Sequence, residues 1–497
     1  MALLGLSIGS IALLAITTVL VYVGGYVVYN LLLHPLAGYP GPMLMRATRA
    51  TFCYHHMRGT LPFYMLELHK KYGRVVRIAP NELAFADPQA WKDIMGHRTT
   101  PGEEMEKWDQ FYRPIKDIPT DIVNASRDEH ALLRRTLAHG FSDRSMREQQ
   151  PIIKGYIDLL IRKLRENCEN GKKTVNMAAW YNYTTFDVIG DLAFGESFGC
   201  LDNSDYHPWV RAIFQLARAG TIFQTATHWP ILLKLLLALA PKRAMEERQH
   251  HIELTKAKLR KRMESGKERP DLVEGLLKKK DEWGLTLDQL QVNSSILIIG
   301  GSETTATLLS GVTFFLLTSP ETMRKLTEEI RGTFKREEEI DFQSVSQLPY
   351  LLACLDEALR MYPPVPIGLP RVVPRGGASI CDHYVPEKTI VSIYQWALYH
   401  NETHFRDPFT YHPERWLGDE QFAGDHRDAF QPFHIGARNC LGRNLAYIEM
   451  RLILARVLWN FDMRIADGSR DWLSKQRIFN LWEKGPLNVS LMPVRET

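Results

Sequence analysis

The chain has 497 residues and a formal net charge of +4. This charge is too small, and the basic residues are too scattered, to indicate a nucleic-acid-binding protein. Six cysteines form no C-x-x-C pair and show no tight spacing, which argues against a disulfide scaffold or a zinc site and favours a reducing compartment. They stand at Cys53, Cys168, Cys200, Cys354, Cys381 and Cys440.

The N-terminal segment is apolar and carries no charge from Met1 to Leu33. Its length is about that needed to cross a bilayer at 1.5 Å per residue. A cleaved signal peptide would have a basic start and a shorter apolar core, so we predict a retained membrane anchor. The first basic side chain, Arg46, follows this segment. The positive-inside rule then places the rest of the chain in the cytosol.

We predict three regions along the chain. Residues 1–33 form the anchor, and 34–44 are a hinge whose prolines and glycines stop the helix. No linker, repeat or low-complexity segment interrupts residues 45–497. Length alone would predict two or three domains, yet this continuity favours one large domain.

In chain order, hydrophobic periodicity predicts a mainly helical domain with a small β-sheet near its N-terminal part. Thr286 is a plausible N-cap for the longest helix, which Ser319-Pro320 ends. The predicted helices span residues 61–72, 127–139, 286–317, 319–335 and 350–361, and further helical patterns occur within 150–168, 176–195 and 205–262. Short strands are predicted at 75–78, 82–85, 371–373, 378–380 and 389–394, with an irregular region at 96–125.

A single cysteine, Cys440, stands in a glycine-flanked loop, Phe433-His-Ile-Gly-Ala-Arg-Asn-Cys-Leu-Gly442. The helix-like run from Arg443 would favour the thiolate. Glycines let the backbone approach a flat ring and leave amides free to hydrogen-bond the sulfur. A lone cysteine is more often buried and unreactive. The complete spacing indicates instead a thiolate ligand to a haem iron, with Arg438 placed to reach a haem propionate.

This loop resembles the haem-binding loop of the cytochromes P450, the haem-thiolate monooxygenases. The resemblance implies the cytochrome P450 fold, mainly α with a small β-sheet region, preceded by one transmembrane helix. Residues 45–497 would be the haem-binding monooxygenase domain. It implies Cys440 as the axial ligand and assigns Phe433, Gly436 and Gly442 to cofactor binding. His434 lies in the same loop, but the motif spacing counts back from Cys440, so we reject it as the ligand.

The longest predicted helix contains Gly300-Gly301-Ser-Glu303-Thr304-Thr, a poor choice for a helix interior. The two glycines would let a flat cofactor and O₂ lie against the helix. An acid and a hydroxyl could deliver the two protons that oxygen activation consumes. The alternative is an exposed Glu303 and a capped Thr304 hydroxyl. The segment matches the family's Ala/Gly-Gly-x-Asp/Glu-Thr-Thr motif, which implies that Glu303 and Thr304 are catalytic.

The resemblance also implies contacts to the haem propionates. His130 and Arg134 are spaced i and i+4 on one helix face, where the family usually has Trp-x-x-x-Arg. An imidazole can still donate a hydrogen bond, and the alternative for His130 is a surface histidine. Arg371 resembles the family's other propionate arginine.

A charge triad is implied by two further motifs. Glu357 and Arg360 lie one turn apart on a predicted helix, and Arg415 stands twenty-five residues before Cys440. In the family these three would form a buried cluster that fixes the cysteine-loop region.

The anchor, the hinge and residues 72–83 resemble filamentous-fungal members, which often serve polyketide, terpenoid or alkaloid biosynthesis. The implied enzyme carries haem b (iron protoporphyrin IX) and hydroxylates or otherwise oxidises a lipophilic small molecule. No G-x-G-x-x-G follows a strand, so NADPH would act only through NADPH–cytochrome P450 reductase, with cytochrome b5 as a second candidate donor. The expected location is the endoplasmic reticulum membrane, single-pass, with the catalytic domain cytosolic. An isomerase, dehydratase or oxidative-coupling enzyme and a non-catalytic haem sensor stay open, and the sequence does not identify the substrate.

By the same resemblance, substrate-pocket walls would come from residues 96–125, 205–245, 296–304, 365–369 and 479–482, which are largely apolar. The apolar run from Trp229 to Pro241 is too short to span a bilayer. We predict that it dips into the membrane surface near a substrate entrance.

Overall fold

The computed structural model describes residues 7–98, 104–114, 119–207, 218–239, 242–265, 269 and 271–494. Helices dominate these residues. In chain order they are α1 (Ile8–Val28), α2 (Met43–Ala47), α3 (Ala50–Met57), α4 (Leu61–Tyr72), α5 (Asp109–Tyr112), α6 (Arg127–Leu137), α7 (Asp143–Cys168), α8 (Met177–Phe194), α9 (Cys200–Asn203), α10 (residues 218–226), α11 (Pro230–Ala238), α12 (Lys242–Glu264), α13 (Glu274–Lys279), α14 (Leu287–Thr318), α15 (Pro320–Thr333), α16 (Pro349–Met361), α17 (Gln395–Tyr399) and α18 (Arg443–Asn460).

The strands are short and form four sheets among the described residues. The largest has the order β1-β2-β8-β5-β3, in which only the β2–β8 pair is parallel. A second sheet has the order β4-β12-β9, and β6–β7 and β10–β11 are hairpins. The strands are β1 (Val75–Ala79), β2 (Glu82–Phe85), β3 (Glu106–Lys107), β4 (Thr174–Asn176), β5 (Arg371–Val372), β6 (Ala378–Ile380), β7 (His383–Val385), β8 (Ile390–Ile393), β9 (Phe461–Ile465), β10 (Arg477–Phe479), β11 (Leu481–Glu483) and β12 (Asn488–Pro493).

Helix α14 is the central element of the fold. Its N-terminus is a capping box, in which Thr286 and Gln289 satisfy each other's backbone amides. Thirty-two residues at 1.5 Å each give a length of about 48 Å. From Ser302 to Leu316 nearly every side chain is buried, against α8, α16 and α18 among others. The helix ends where Ser319-Pro320 opens α15, as the sequence predicts.

Two hydrophobic clusters fill the interior. The larger joins α7, α8, α14, α16 and α18, and the smaller lies under the five-stranded sheet around Phe85, Trp91 and Val391. Helix α8 is buried at nearly every position, and α14 and α18 carry long runs of consecutive buried residues, so these helices contribute to the larger cluster from several faces. The short strands place alternate residues in the smaller cluster.

The N-terminal helix stands apart from this core. Ile8–Leu33, which includes a π-helical turn at Tyr29–Leu33, is a candidate membrane span with mean hydropathy 2.2. None of its most apolar 18-residue stretch is buried. It ends at His34-Pro35, where the predicted hinge begins. Helix α14 is also long and apolar enough to cross a membrane, but 67% of its most apolar 18-residue stretch is buried, which is typical of a core helix.

Most of the predicted elements are confirmed, with shifts at their ends. Helix α7 begins at Asp143, where Ser142 caps it, and not at 150, because Pro151 is accommodated inside the helix. The helical patterns predicted within 205–262 correspond to α10, α11 and α12, with turns between α10 and α11. Part of that stretch, including 208–217, lies outside the described residues. The irregular region at 96–125 contains β3 and α5, and the sheet near the N-terminal part also takes strands from residues 371–393.

Candidate active site

The cysteine loop is held by its own backbone. The Cys440 N–H donates to the carbonyl of Phe433 at 2.9 Å, and the Asn439 N–H donates to Gly436 at 3.2 Å. Helix α18 follows at once from Gly442, its N-cap. The Cys440 side chain is exposed at the end of this loop. The loop therefore presents one thiol at a helix N-terminus, as the sequence predicts.

Gly436 is the glycine that this loop requires. Its φ is +80°, a left-handed conformation that a side chain disfavours. A Cβ there would lie 1.8 Å from the carbonyl oxygen of Met95. Gly442 is less constrained, because a Cβ would meet only a Phe141 ring carbon at 3.6 Å.

Opposing effects act on the thiol. Desolvation by the surrounding protein raises the pKa of Cys440, and a hydrogen bond from the Gly442 N–H with the charges of Arg134 and Arg443 pulls it down. The Cys440 side chain has exposed surface, although many protein atoms surround its sulfur, so the thiol lies in a recess. The amide and the two guanidinium groups are the features that would stabilise a thiolate there.

Four basic side chains converge beside this recess. Burial, followed by the charges of Arg438, Lys107, Arg134 and Arg371, lowers the pKa of His130 to about 3. His130 is buried on α6 and is therefore neutral, so the surface-histidine alternative is wrong.

Arg438 and Arg371 are each held in place by contacts with other residues. Arg438 Nε pairs with Glu104 at 3.0 Å, and its Nη1 donates to the carbonyl of Ala125 at 2.9 Å. Arg371 Nη1 donates to the carbonyl of Met105 at 3.3 Å, while its buried Nε has no hydrogen-bond partner among the described residues.

Arg134 ties α6 to the cysteine loop. Its Nη1 donates to the carbonyl of Asn439 at 2.7 Å, and its Nη2 donates to the side chain of the same residue. This arginine therefore fixes the residue next to Cys440 directly.

Sequence reasoning missed Lys107 and Tyr112. Lys107 pairs with Arg371 across β3 and β5, and its ammonium lies 4.8 Å from the centre of the Tyr112 ring. Burial, with Arg371 and Arg438 adding to it, holds the pKa of Lys107 well below its usual value. Burial also raises the pKa of Tyr112 to about 12. No local motif marks either residue, because the contact joins strands more than 250 residues apart.

These residues fit a haem. A cluster of cations with an unpartnered buried Arg371 Nε calls for an anionic group, such as a pair of propionates. A Cβ on Gly300 would meet no heavy atom within 4 Å, so the helix surface is open there. The accessible Cys440 thiol is the side chain that would serve as the ligand.

His434 is turned away from a ligand role. It is in a left-handed conformation, and its ring lies edge-on to Trp91 at 4.9 Å. Burial, with Arg371 and Lys107, lowers its pKa to about 3.

The two glycines of α14 serve different purposes. Gly300 is exposed, as expected for a surface against which a flat group could lie. Gly301 contradicts that expectation, because its Cβ would lie 2.7 Å from Cδ1 of Ile189 on α8. Its missing side chain lets two core helices approach closely.

Glu303 and Thr304 point to different sides of α14, as neighbours about 100° apart must. The Thr304 hydroxyl donates to the carbonyl of Gly300 at 2.6 Å and is partly accessible. Glu303 is buried and forms an ion pair with Lys484, so the alternative of an exposed carboxylate is wrong. The Thr307 hydroxyl lies 3.3 Å from the same carboxylate.

The predicted charge triad is present. Arg360 Nη2 lies 2.8 Å from Glu357 Oε1 and Arg415 Nε lies 3.3 Å from Oε2, with all three side chains fully buried. The structure adds Asp425, which pairs with Arg415, and Trp416, whose Nε1 donates to Glu357 at 3.0 Å. Burial opposes ionisation of Glu357, but the two arginines hold its pKa below the usual value.

A hydrogen-bond path joins the triad to the cysteine loop. Arg360 Nη1 donates to the carbonyl of Tyr399 at 2.9 Å. The Tyr399 hydroxyl accepts the N–H of Gln431 at 3.0 Å, and the Gln431 carbonyl accepts the N–H of His434 at 3.0 Å.

The fold and the site define a haem-thiolate protein. The family model described as Cytochrome P450 matches residues 41–488. The chain is 47% identical over 468 residues to cytochrome P450 monooxygenase astA of Talaromyces wortmannii, covering 94% of each chain. It is also 47% identical to cytochrome P450 monooxygenase tpeC of Talaromyces stipitatus, covering 100% of this chain and 98% of that one. The trichothecene C-15 hydroxylase of Fusarium sporotrichioides is 44% identical and covers 96% and 97%.

The chain belongs to the cytochrome P450 family, as its haem-loop motif predicts. It is an enzyme of the cytochrome P450 monooxygenase class, similar to the monooxygenases of Talaromyces and Fusarium named above. Membership of this family brings a haem-thiolate cofactor. The N-terminal apolar helix fits membrane anchoring.

Proposed function

We propose that the protein oxidises a lipophilic small molecule in a fungal secondary-metabolite pathway, with haem b bound by residues 45–497. The observation that carries this proposal is an accessible Cys440 thiol beside a cluster of basic side chains, in which the buried Arg371 Nε has no hydrogen-bond partner among the described residues. The similarity to a trichothecene C-15 hydroxylase supports a small-molecule substrate.

In this proposal the cofactor is held from two sides. When bound, haem supplies the iron centre at which O₂ is activated, and Cys440 supplies its thiolate. The propionates are bound by His130, Arg134, Arg371 and Arg438, to which we add Lys107. Phe433, Gly436 and Gly442 shape the loop so that Cys440 faces the ring.

Protons come from α14. Thr304 is partly accessible beside the open surface at Gly300, so its hydroxyl is the group placed to hold and donate a proton at that surface. Glu303 lies on the adjoining side of the helix and is the acid that reloads it. The buried position of Glu303 separates this acid from bulk solvent.

Replacing Thr304 by alanine is expected to divert O₂ reduction toward H₂O₂. Without the hydroxyl, proton delivery loses a positioned group, and the rate of water formation should fall by about 10²-fold. The measurement is the ratio of H₂O₂ to water in NADPH-driven turnover. Thr318→Ala is the matched control, because its hydroxyl makes the same i−4 bond to Phe314 at 3.0 Å near the other end of α14. Equal ratios in the two variants would rule out the role of Thr304.

The electron source in this proposal is NADPH–cytochrome P450 reductase, with cytochrome b5 as an accessory donor. The family generally uses separate redox partners. Turnover that requires both NADPH and the reductase tests the proposal, and separates it from an isomerase or a dehydratase that needs no external electrons.

We place the protein in the endoplasmic reticulum membrane, with 1–33 as a single-pass anchor, 34–44 as the hinge and the catalytic domain in the cytosol. Helix α11 supports a second membrane contact, since none of its residues is buried. Ile231 is 77% exposed and Leu235 is 53% exposed.

Replacing Leu232 and Leu235 by glutamate is expected to weaken liposome binding of the protein lacking residues 1–33. Each exposed leucine that enters the membrane contributes about 1.5–3 kcal/mol, so each change should lower partitioning by at least about tenfold. Vesicle co-sedimentation measures the effect. Leu417→Glu, at another exposed leucine, is the control. Unchanged binding of the double variant would refute the α11 contact.

A further inference from the structure

A buried ion pair links the C-terminal segment to α14. Lys484 follows β11 directly, and its ammonium contacts Oε1 of Glu303 and lies 2.7 Å from the Thr307 hydroxyl. The two charged side chains are only 4% and 2% exposed. Taking both charges out of water roughly cancels the gain from their attraction, so stability alone does not account for the pair.

A cavity of about 310 Å³ lies beside this pair. A water occupies about 30 Å³ in the liquid, so the cavity has room for on the order of ten waters. Two buried oxygens on its wall, Oε2 of Glu303 and Oδ1 of Asn182, have no hydrogen-bond partner among the described residues. Such atoms are normally satisfied by water. The cavity wall also includes Arg218 and Glu483, an ion pair 3.9 Å apart. Both side chains are exposed, so the cavity reaches the protein surface beside them.

We propose that Lys484 is a positioning residue that fixes the orientation and charge of Glu303, and that this cavity is the route by which solvent protons reach Glu303. The inference deepens the proposed function and rests on the assignment of Glu303 and Thr304 to proton delivery. One oxygen of Glu303 is held by Lys484, which leaves the other free to exchange protons with cavity water.

The electrostatic surroundings of Glu303 agree with this role. Burial raises its pKa, while Lys484 and then the hydroxyl of Thr307 act to lower it. The other titratable groups that sense it are tyrosines. Burial raises the pKa of Tyr206 and of Tyr362, and the charge of Glu303 adds to both shifts. Lys484 is therefore the main group that favours the ionised carboxylate.

The readout needs no knowledge of the substrate. With reductase and NADPH, the enzyme reduces O₂ in one of two balanced ways. One NADPH and one proton give H₂O₂ and NADP⁺, whereas two NADPH and two protons give two waters and two NADP⁺. The fraction of O₂ recovered as H₂O₂, measured across a pH series, therefore reports how well protons are supplied.

Lys484→Met removes the charge and keeps most of the side-chain volume. The Glu303 carboxylate is then left in a buried site without a cation, which should move its titration to higher pH. The pH profile of the H₂O₂ fraction is expected to shift in the same direction by at least about one unit. Lys484→Arg should restore the wild-type profile. Lys475→Met, which removes an exposed lysine paired with Asp471, should leave it unchanged.

Asn182→Leu tests the cavity separately. It removes the unpartnered oxygen, together with the hydrogen bond from Asn182 Nδ2 to the Tyr206 hydroxyl, keeps the number of side-chain heavy atoms and does not touch the ion pair. We expect a higher H₂O₂ fraction at every pH, with the midpoint of the profile unchanged. An unaltered fraction would exclude the cavity as the proton route.

Glu303→Gln distinguishes a failure of the role assigned to Lys484 from a failure of the proposed role of Glu303. A wild-type pH profile in this variant would overturn the role of Glu303 in the proposed function. A profile that flattens in Glu303→Gln and stays in place in Lys484→Met would overturn only the role of Lys484. The haem absorption spectrum verifies each variant. If Lys484→Met does not bind haem, Lys484→Gln takes its place with the same expected shift.

Discussion

Replacing Cys440 by alanine is expected to abolish the absorption band that reduced, CO-bound haem-thiolate proteins show. The thiol is the accessible group at the end of a loop fixed by the Cys440–Phe433 and Asn439–Gly436 hydrogen bonds. Arg134 holds the neighbouring Asn439 from α6. This sulfur would supply the ligand to the haem iron, and its removal leaves no other thiol in the loop. The expected loss is complete.

Two control variants sharpen this test. Cys381→Ala removes another partly accessible thiol, outside the loop, and should leave the band intact. His434→Phe should also leave it intact, because that ring packs against Trp91. A band that persists in Cys440→Ala, or disappears in His434→Phe, would contradict the ligand assignment.

Replacing Glu357 by alanine is expected to yield protein without stably bound haem. The change leaves Arg360 and Arg415 in a fully buried site without their shared carboxylate. Breaking a buried ion pair in this way costs about 3–5 kcal/mol. Arg360 is joined through Tyr399 to the segment that leads into the cysteine loop. The disturbance should therefore reach the haem as well as the global stability.

The measurements are haem content per chain and the free energy of unfolding. Glu321→Ala is the matched control, because Glu321 and Arg324 form the same i, i+3 pair on α15 with both side chains exposed. An exposed pair contributes at most about 1 kcal/mol. A normal haem spectrum for Glu357→Ala would count against the triad as the support of the loop.

The triad also gives stability a pH dependence. The pKa of Glu357 is lower in the folded chain than its usual value. A group of this kind stabilises the fold above its unfolded pKa, and that contribution is lost as the pH falls through its folded pKa. The free energy of unfolding should therefore fall less steeply on acidification in Glu357→Gln, which cannot ionise, than in the parent chain.

The family, the fold class and the geometry of the cysteine loop could be predicted because their signals are local. Cys440 and Gly436 lie within one ten-residue motif, and Glu357 and Arg360 lie one helical turn apart. The functional roles of these residues remain predictions, and the structure shows that their positions permit them.

Residues supplied by distant parts of the chain could not be predicted. Lys484 meets Glu303 across 181 residues, and Lys107 meets Arg371 through a strand pair of two residues. A single sequence contains no signal for such partners. Gly301 was misread for a related reason, since the closeness of α8 at Ile189 is a property of helix packing and not of the motif.

The β4-β12-β9 sheet has a consequence for how the chain is made. Strand β12 is the middle strand, and its Asn488 pairs with Asn176 of β4 across roughly 300 residues. Contacts of such long range slow folding. The ribosome must release residues 488–493 before this sheet can close, so the sheet is expected to form late, well after β4 has been synthesised. A chain truncated just before β12 should then remain incompletely folded.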